Sequence, residues 1–331
     1  MAVTLACIGG RSAYDLLSEG ALVAERIGPR PTPFGESQPI YRCESRFGGF
    51  LFLSRHGERG YDLTPSFVNY RANIYALKDL GTRAIVAWSE TRAISHNYKI
   101  GDYVLVDDLV DETARLSTFF TSQGFGHLRQ WPVFCPSLRG ALAETLKQER
   151  CEFAEHGVYV CVEGPRHETP AETRKYATFG GELLGQALIP EVFLARELQM
   201  CYASLCYVGR YAEDGTNYRP FEDGRVLPEA VERQRATAAV ERMPRLLERF
   251  CEVLARTPGM CECEATMTAY ITAGQLGEDW RKWFNHNRPG EGEAGSSGED
   301  RPAWRSAEWP GQRKGQEPGE RSGRHPGARG L

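Results

Sequence analysis

The stretch from Val158 to Tyr207 decides the fold, and it reads VYVCVEGPRHETPAETRKYATFGGELLGQALIPEVFLARELQMCYASLCY. An apolar strand comes first, followed by a Glu-Gly-Pro-Arg turn and a helix. A second strand ends at residues 189–191, and after another helix a third strand closes the stretch. Alternating strands and helices are typical of an α/β fold, in which ligands bind at the ends of the strands. The stretch therefore predicts a central sheet flanked by helices, with a binding site at the sheet edge.

The composition predicts a soluble, cytoplasmic protein. Of its 331 residues 41% are hydrophobic, which allows a sizeable core, and the formal net charge is −4. This balance lacks the concentrated basic surface of a nucleic-acid-binding protein. No apolar run approaches the roughly 20 residues of a membrane span, and the first residues, MAVTLACIGG, lack the basic region of a signal peptide. We expect neither nucleic acid nor a membrane as a partner.

The chain changes in character after Phe284. Residues 1–284 have the composition of one folded domain, whereas residues 285–331 consist mostly of Gly, Pro, Arg, Glu and Ser. Such a tail buries too little apolar surface to offset the entropy lost on ordering, so we expect it to be disordered. Its composition leaves open a contact with RNA or a non-native extension of the reading frame.

Most of the ten cysteines lie inside apolar runs, where a reduced thiol behaves as a small hydrophobic group. Cys261 and Cys263 are the exception, because a single residue separates them. A pair at this spacing is too short for a tetrahedral zinc site, which needs two further ligands. It could instead form a strained, redox-active disulfide. The sequence therefore predicts no metal site and leaves a Cys261–Cys263 disulfide open.

Three predicted strands end in residues suited to binding an anion. The first leads through two glycines to Arg11 and Ser12 at the start of a helix, where backbone N–H groups favour an anion. The second ends at Arg55 and His56; the planar fork of arginine fits phosphate oxygens, and the histidine adds a donor. Ser89 follows the third. An exposed basic pair at a strand end is the alternative interpretation of Arg55 and His56.

The scaffold motifs resemble the family of trimeric purine nucleoside phosphorylases and methylthioadenosine phosphorylases. The resemblance covers roughly residues 3–255 and is carried by RHG at 55–57, VNYRAN at 68–73, GD at 101–102, EGPRHET at 163–169, PEVFLARE at 190–197 and CYAS at 201–204. It implies a single-domain nucleoside phosphorylase-like α/β fold with a mixed central sheet. It also implies a homotrimer that uses phosphate as co-substrate and needs no cofactor.

The resemblance assigns a role to each candidate residue. Glu168 stands where 6-oxopurine phosphorylases accept a hydrogen bond from purine N1–H, although an acid favoured by a helix dipole is the alternative. His167 would stack on the base and Gln186 would contact the ribose. His127 would cap the pocket of a neighbouring subunit, unless it is a solvated loop histidine. Phosphate would be held by Arg11, Ser12, Arg55, His56 and Ser89.

The catalytic positions depart from the family pattern. Arg210 stands where the family has an asparagine or aspartate that stabilises charge developing at purine N7. Residues 185–187, Gly-Gln-Ala, replace an asparagine, a ribose-contacting methionine and a phosphate-binding hydroxyl residue. Glu90 would repel phosphate unless a neighbouring arginine neutralised it. Arg210 and Glu168 are therefore the predicted catalytic residues of a modified site.

Three functional hypotheses follow. The leading one is a purine nucleoside phosphorylase-like pentosyltransferase, which cleaves a 6-oxopurine or 5'-methylthio-purine nucleoside with phosphate to give the base and ribose 1-phosphate. The alternative is a family member that binds a purine nucleoside or nucleotide without phosphorolysis. A third retains catalysis but takes a more anionic substrate, because Arg11, Arg92 and Arg210 add positive charge.

Overall fold

The computed structural model describes residues 5–59, 61–121, 124–222, 224–257 and 261–284. The tail, residues 285–331, lies outside them, so its disorder and the domain boundary stay predictions. Within the described residues no helix has the length and apolar character needed to cross a membrane. The cytoplasmic location stays a prediction.

The described residues form fifteen strands and eight α-helices. The strands are β1 (Leu5–Gly9), β2 (Ala24–Gly28), β3 (Pro31–Thr32), β4 (Gly35–Glu36), β5 (Ile40–Cys43), β6 (Phe50–Ser54), β7 (Ala84–Ala93), β8 (Tyr103–Leu105), β9 (Asp108–Glu112), β10 (Phe153–Ala154), β11 (Val158–Val162), β12 (Leu183–Gly185), β13 (Cys201–Tyr211), β14 (Phe221–Glu222) and β15 (Arg225–Val226). The helices are α1 (Arg11–Ser18), α2 (Tyr70–Asp79), α3 (Pro136–Gln148), α4 (Pro170–Thr178), α5 (Glu191–Glu197), α6 (Glu229–Glu241), α7 (Met243–Arg256) and α8 (Thr268–Thr272).

An 11-stranded mixed sheet forms the centre, with the order β10-β8-β13-β7-β1-β6-β5-β2 and with β11, β12 and β9 joined through β7. Strand β1 runs parallel to both β6 and β7, and Gly9 is level with Ser54 on one side and Trp88 on the other. Residues that follow these positions therefore reach the same edge of the sheet. The sheet and its flanking helices confirm the predicted fold class.

Two hydrophobic cores cover the two faces of the sheet. Along β1, Ala6 and Ile8 belong to one core, which includes buried side chains of α2 and α5. Leu5 and Cys7 belong to the other, with side chains of α1, α3 and α7. Successive strand residues point to opposite faces, so a strand buried on both faces is apolar throughout. This explains the continuous apolar runs in the sequence.

Two sequence predictions about these elements have different outcomes. The apolar pattern of residues 227–254 predicts one long helix that Pro244 kinks or splits in two. The helix divides at Arg242, between α6 and α7, and Pro244 lies in the first turn of α7, where its missing N–H is tolerated. The prediction that the second strand of the opening stretch ends at residues 189–191 is wrong, because β12 ends at Gly185. Beyond it, Leu188 adopts φ 64°, and Arg115 binds the carbonyl oxygens of residues 186 and 189.

The segment of residues 261–284, which the sequence left unassigned, packs on the first core. The ring of Phe284 lies 5.5 Å from that of Phe34 and 5.1 Å from that of Phe119. Trp280 lies 5.0 Å from Tyr75 on α2. The segment therefore closes one side of the domain with aromatic side chains.

Candidate active site

A cavity of about 260 Å³ opens where β1 and β6 end, beside the middle of β7. The prediction that Ser89 follows a strand is wrong, because β7 includes Ser89 and continues pairing with β13 as far as Ala93. Eight of the ten predicted site residues line the cavity, namely Arg11, Ser12, Arg55, His56, Ser89, His167, Gln186 and Arg210, whereas Glu168 and His127 do not. Its wall also includes Tyr61, Trp88 and Tyr207, which the sequence analysis did not select. The parallel register of the three strands brings together turns that are far apart in the chain.

One wall of the cavity is the N-terminus of α1. Among the described residues no side chain caps this helix, whose N-cap is Gly10. Its first N–H groups are therefore available to an anion. Gly9 is required here, because a Cβ would come within 2.6 Å of Ala13 and 2.7 Å of Phe52. The Arg11 guanidinium lies 3.7 Å from Asp15 on its own helix.

Arg55 is buried and pairs with Glu191, the first residue of α5. Both side chains are 1% exposed, with Nε and Nη2 of Arg55 at 2.5 and 3.0 Å from the two carboxylate oxygens. Tyr202 donates to the same carboxylate at 2.8 Å. Burial opposes the charge, but Glu191 outweighs it and holds the pKa of Arg55 above its ordinary value. The alternative of an exposed basic pair is therefore wrong.

His56 is held as a neutral imidazole. Its Nδ1 lies 2.9 Å from the carbonyl oxygen of Leu63, which can only accept, so Nδ1 carries the hydrogen. Burial and the charge of Arg55 lower the pKa of His56 to about 4. The prediction that His56 is an additional donor is therefore revised. At neutral pH its Nε2 offers a lone pair, which suits a protonated phosphate oxygen.

Glu90 lies in the cavity wall beside Ser89, and its charge is balanced. Tyr207 donates to its carboxylate at 3.2 Å, and Arg210 Nη2 lies 3.5 Å away. The side chains of this pair are 57% and 42% exposed. Gly209 leaves room for the carboxylate, because a Cβ there would collide with it. The neutralising arginine that the sequence analysis required is therefore Arg210.

Arg92, which lines the cavity, forms a second ion pair with Glu168, which does not. Their Nη2 and Oε1 atoms are 2.8 Å apart and the side chains are 11% and 6% exposed. Capping of α4 is performed by Thr169 and Glu172, which exchange hydrogen bonds in a capping box. Glu168 is thus not the residue that caps the helix. The pair places a donor and an acceptor side by side near His167.

Gly185 and Gln186 have structural explanations for their departure from the family. The ring of Tyr159 occupies the space that a side chain at position 185 would need. Its hydroxyl accepts from the backbone N–H of Ala187 at 3.1 Å. Gln186 lines the cavity and donates to the carbonyl oxygen of Arg166 at 3.2 Å. The pKa of His167 is lowered by partial burial and by the charge of Arg92.

His127 lies outside the cavity. It is exposed, and its backbone N–H donates to the hydroxyl of Tyr270 at 3.2 Å. The resemblance placed it over a neighbouring subunit's pocket, which a single chain does not test. Its capping role stays a prediction.

Fold and site together define the class of protein. The model of the phosphorylase superfamily matches residues 13–252, and the chain belongs to this family.

Individual relatives include enzymes with two kinds of named substrate. The chain is 35% identical to S-methyl-5'-thioadenosine phosphorylase of Saccharolobus solfataricus, over 78% of this chain and 94% of the relative. It is 37% identical to 6-oxopurine nucleoside phosphorylase of Pyrococcus furiosus, over 63% and 79% of the two chains. A solved methylthioadenosine phosphorylase from an antarctic soil metagenomic library is 29% identical, with a TM-score of 0.70 over 81% of this chain and 92% of that one.

Proposed function

We propose that the protein cleaves a purine nucleoside with phosphate, giving the free base and ribose 1-phosphate. The substrate is a 6-oxopurine or 5'-methylthio-purine nucleoside. The observation that carries this proposal is the cavity that brings together a helix N-terminus, Arg55, His56, Ser89 and Arg92, whose guanidinium pairs with Glu168. The relatives' names support the same reaction.

Phosphate would bind between the N-terminus of α1 and Arg55. The helix supplies N–H donors. Glu191 binds Nε and Nη2 of Arg55, so Nη1 is left for the phosphate. Ser12 and Ser89 add hydroxyl donors. The Nε2 atom of His56 accepts a hydrogen bond from the phosphate O–H. An unprotonated phosphate oxygen then bonds to ribose C1' as the bond from C1' to the base breaks. The phosphate, held by the buried guanidinium of Arg55, then presents its negative charge to the cationic ribosyl group without reorganisation of the site.

The base would bind against His167 with its six-membered ring toward Arg92 and Glu168. A carboxylate accepts from N1–H and a guanidinium donates to the 6-oxygen, which matches a 6-oxopurine. As the bond to ribose breaks, the purine gains negative charge. Arg210 would stabilise that charge near N7, where it can exchange its long contact with Glu90 for one with the base.

A more anionic substrate is less well supported. Each of the three arginines that motivated this hypothesis already lies close to a carboxylate. The distance is 3.7 Å for Arg11–Asp15, 2.8 Å for Arg92–Glu168 and 3.5 Å for Arg210–Glu90. Their positive charges are therefore balanced within the chain. A neutral nucleoside fits this electrostatic arrangement better.

The test is the release of free base from inosine, guanosine, methylthioinosine and methylthioadenosine, with and without phosphate. We expect release only with phosphate, and its loss in Glu168→Ala. Glu144→Ala, on the exposed face of α3, serves as the matched control and should retain activity. Thermal stabilisation by a nucleoside without turnover would overturn the proposal in favour of binding without phosphorolysis.

We also propose a homotrimer in which His127 reaches a neighbouring pocket. Trp131, close to His127 in the chain, is 63% exposed in the single chain, as a residue at a subunit contact would be. If each site is shared between two subunits, a mixed trimer of His127→Ala and Glu168→Ala chains should contain some sites in which neither residue is changed. Mixing the two variants should therefore restore activity. Sedimentation at equilibrium gives the subunit number. A monomer, or the absence of restored activity, would contradict the shared site.

A further inference from the structure

Four thiols meet at one point outside the candidate active site. They come from three separate parts of the chain: Cys135 is the N-cap of α3, Cys201 begins β13, and Cys261 and Cys263 lie in the segment of residues 261–284. Their sulfur atoms all lie within 4.8 Å of one another, and those of Cys201 and Cys261 are 3.4 Å apart. All four are free thiols.

This spacing is that of a tetrahedral metal site. Four thiolates bound to zinc at about 2.3 Å lie roughly 3.8 Å from one another, so the observed sulfur atoms need only small shifts. Two disulfides would bring the sulfurs of each pair to about 2.0 Å, but would not require the two pairs to share a centre. The convergence of all four on one point is therefore explained by a common ligand.

We propose that these four cysteines bind one Zn²⁺ ion in a closed structural site. Cys135 and Cys201 are the two ligands that the Cys261–Cys263 pair lacked in the sequence. With four protein ligands the ion has no open position, which is the arrangement of structural rather than catalytic zinc. The soft thiolate set favours zinc over magnesium or calcium.

The surroundings suit the negative charge of such a centre. Four thiolates and one Zn²⁺ carry a net charge of −2, and Cys135 stands at the positive end of the 13-residue helix α3. Arg196 lines the same cavity as Cys135, Cys261 and Cys263. It is held there by hydrogen bonds to the carbonyl oxygens of residues 132 and 133, at 2.7 and 3.4 Å.

The proposed centre would anchor the segment of residues 261–284 to the sheet. Two of its ligands come from that segment, and the other two come from α3 and β13. It is separate from the candidate active site, because Cys201 and Arg210 lie at opposite ends of β13, about 30 Å apart along an extended strand. The inference therefore stands independently of the proposed activity.

The first test measures metal content in the full chain, purified with reductant and without chelator. Inductively coupled plasma mass spectrometry should find about one zinc per chain, and Cys261→Ser and Cys263→Ser should lose it. Cys151→Ser changes a buried thiol outside the cluster and should retain zinc. Zinc-free native protein, stoichiometric iron, or full zinc in Cys261→Ser would each overturn the proposal.

The second test separates zinc from disulfides without a variant. Native protein is treated with an alkylating reagent alone, with a chelator, or with a reductant, and the modified cysteines are mapped by peptide mass spectrometry. We expect modification of the four cysteines to rise at least tenfold with chelator alone. Modification that needs reductant would assign disulfides and overturn the zinc site, and so would rapid modification without either addition. Chelator should also lower the unfolding temperature of wild type but not of Cys261→Ser.

Discussion

Two ion pairs that include residues of the cavity wall differ in their burial. At the phosphate end, Arg55 and Glu191 are each 1% exposed and lie at the end of a central strand and the start of a helix. Beside the base, Arg210 and Glu90 are about half exposed, and their closest atoms are 3.5 Å apart. A buried pair cannot change without destabilising the fold, whereas an exposed pair can. The comparison indicates that the phosphate contact at Arg55 is fixed by the scaffold, while the contact proposed near purine N7, at Arg210, is free to vary.

The largest effect is expected from breaking the buried pair. In Glu191→Gln the Arg55 charge stays buried without its counter-charge, which should lower the free energy of unfolding by about 3–5 kcal/mol. Urea denaturation measures it. Glu229→Gln is the matched control, because Glu229 also begins a helix and pairs with an arginine, Arg219, but at the surface. That change should cost less than about 1 kcal/mol. Equal losses of unfolding free energy in Glu191→Gln and Glu229→Gln would show that the buried pair contributes no more to stability than the surface pair.

His56 should make stability fall in mild acid. Burial and Arg55 lower its pKa from the ordinary 6.5 to about 4, so between these values the unfolded chain binds the proton and the folded chain does not. The contribution of neutral His56 to the free energy of unfolding is fully present above pH 6.5. It is lost as pH falls toward 4, by on the order of 3 kcal/mol.

The measurement for His56 is the free energy of unfolding of wild type and His56→Asn from pH 7.5 to 4. Asparagine keeps an N–H donor for Leu63 but does not titrate. The difference between the two proteins should therefore change with pH, in favour of the variant as pH falls. A difference that is constant across this range would mean that His56 does not titrate as the structure indicates.

Glu168→Gln tests base recognition. Loss of a charged hydrogen bond to N1–H should cost about 2–3 kcal/mol, or roughly 30- to 150-fold in kcat/KM for inosine or methylthioinosine. Methylthioadenosine, which lacks N1–H, should lose less. Glu172→Gln, in the capping box of α4, should lower stability and leave this preference unchanged. Equal losses for both kinds of base would show that Glu168 acts only by holding Arg92.

The sequence predicted the phosphate end of the cavity better than the base end. Four of its residues follow the ends of β1 and β6, which an apolar run leading into a glycine-containing turn identifies locally, whereas Ser89 lies inside β7. The partners of those residues were not predictable in this way. Glu191 is 136 positions from Arg55, and Tyr207 is 117 from Glu90. Only the order of strands in the sheet brings such positions together.

The same dependence on how distant elements pack explains why the sequence did not predict the cysteine cluster. A pair separated by one residue is visible in the sequence, but its further ligands at positions 135 and 201 belong to other elements. Gly185 is another case. The ring of Tyr159, on the neighbouring strand β11, leaves no room for a side chain at position 185. Family resemblance supplied the expected residue types at such positions. The physical cause of each departure needed the packed structure.

The smallest effect on stability is expected for Arg210→Ala. An exposed arginine with a 3.5 Å contact contributes little to folding, so the free energy of unfolding should change by less than about 1 kcal/mol. Phosphorolysis should nevertheless slow, because the cation proposed to face purine N7 is lost, and the loss should appear in kcat rather than in the KM for phosphate. Arg219→Ala, in another exposed pair that does not line the cavity, should change neither quantity. A destabilisation as large as that of Glu191→Gln would show that the two pairs are equally fixed by the fold, and the contrast between the Arg55–Glu191 pair and the Arg210–Glu90 pair would fail.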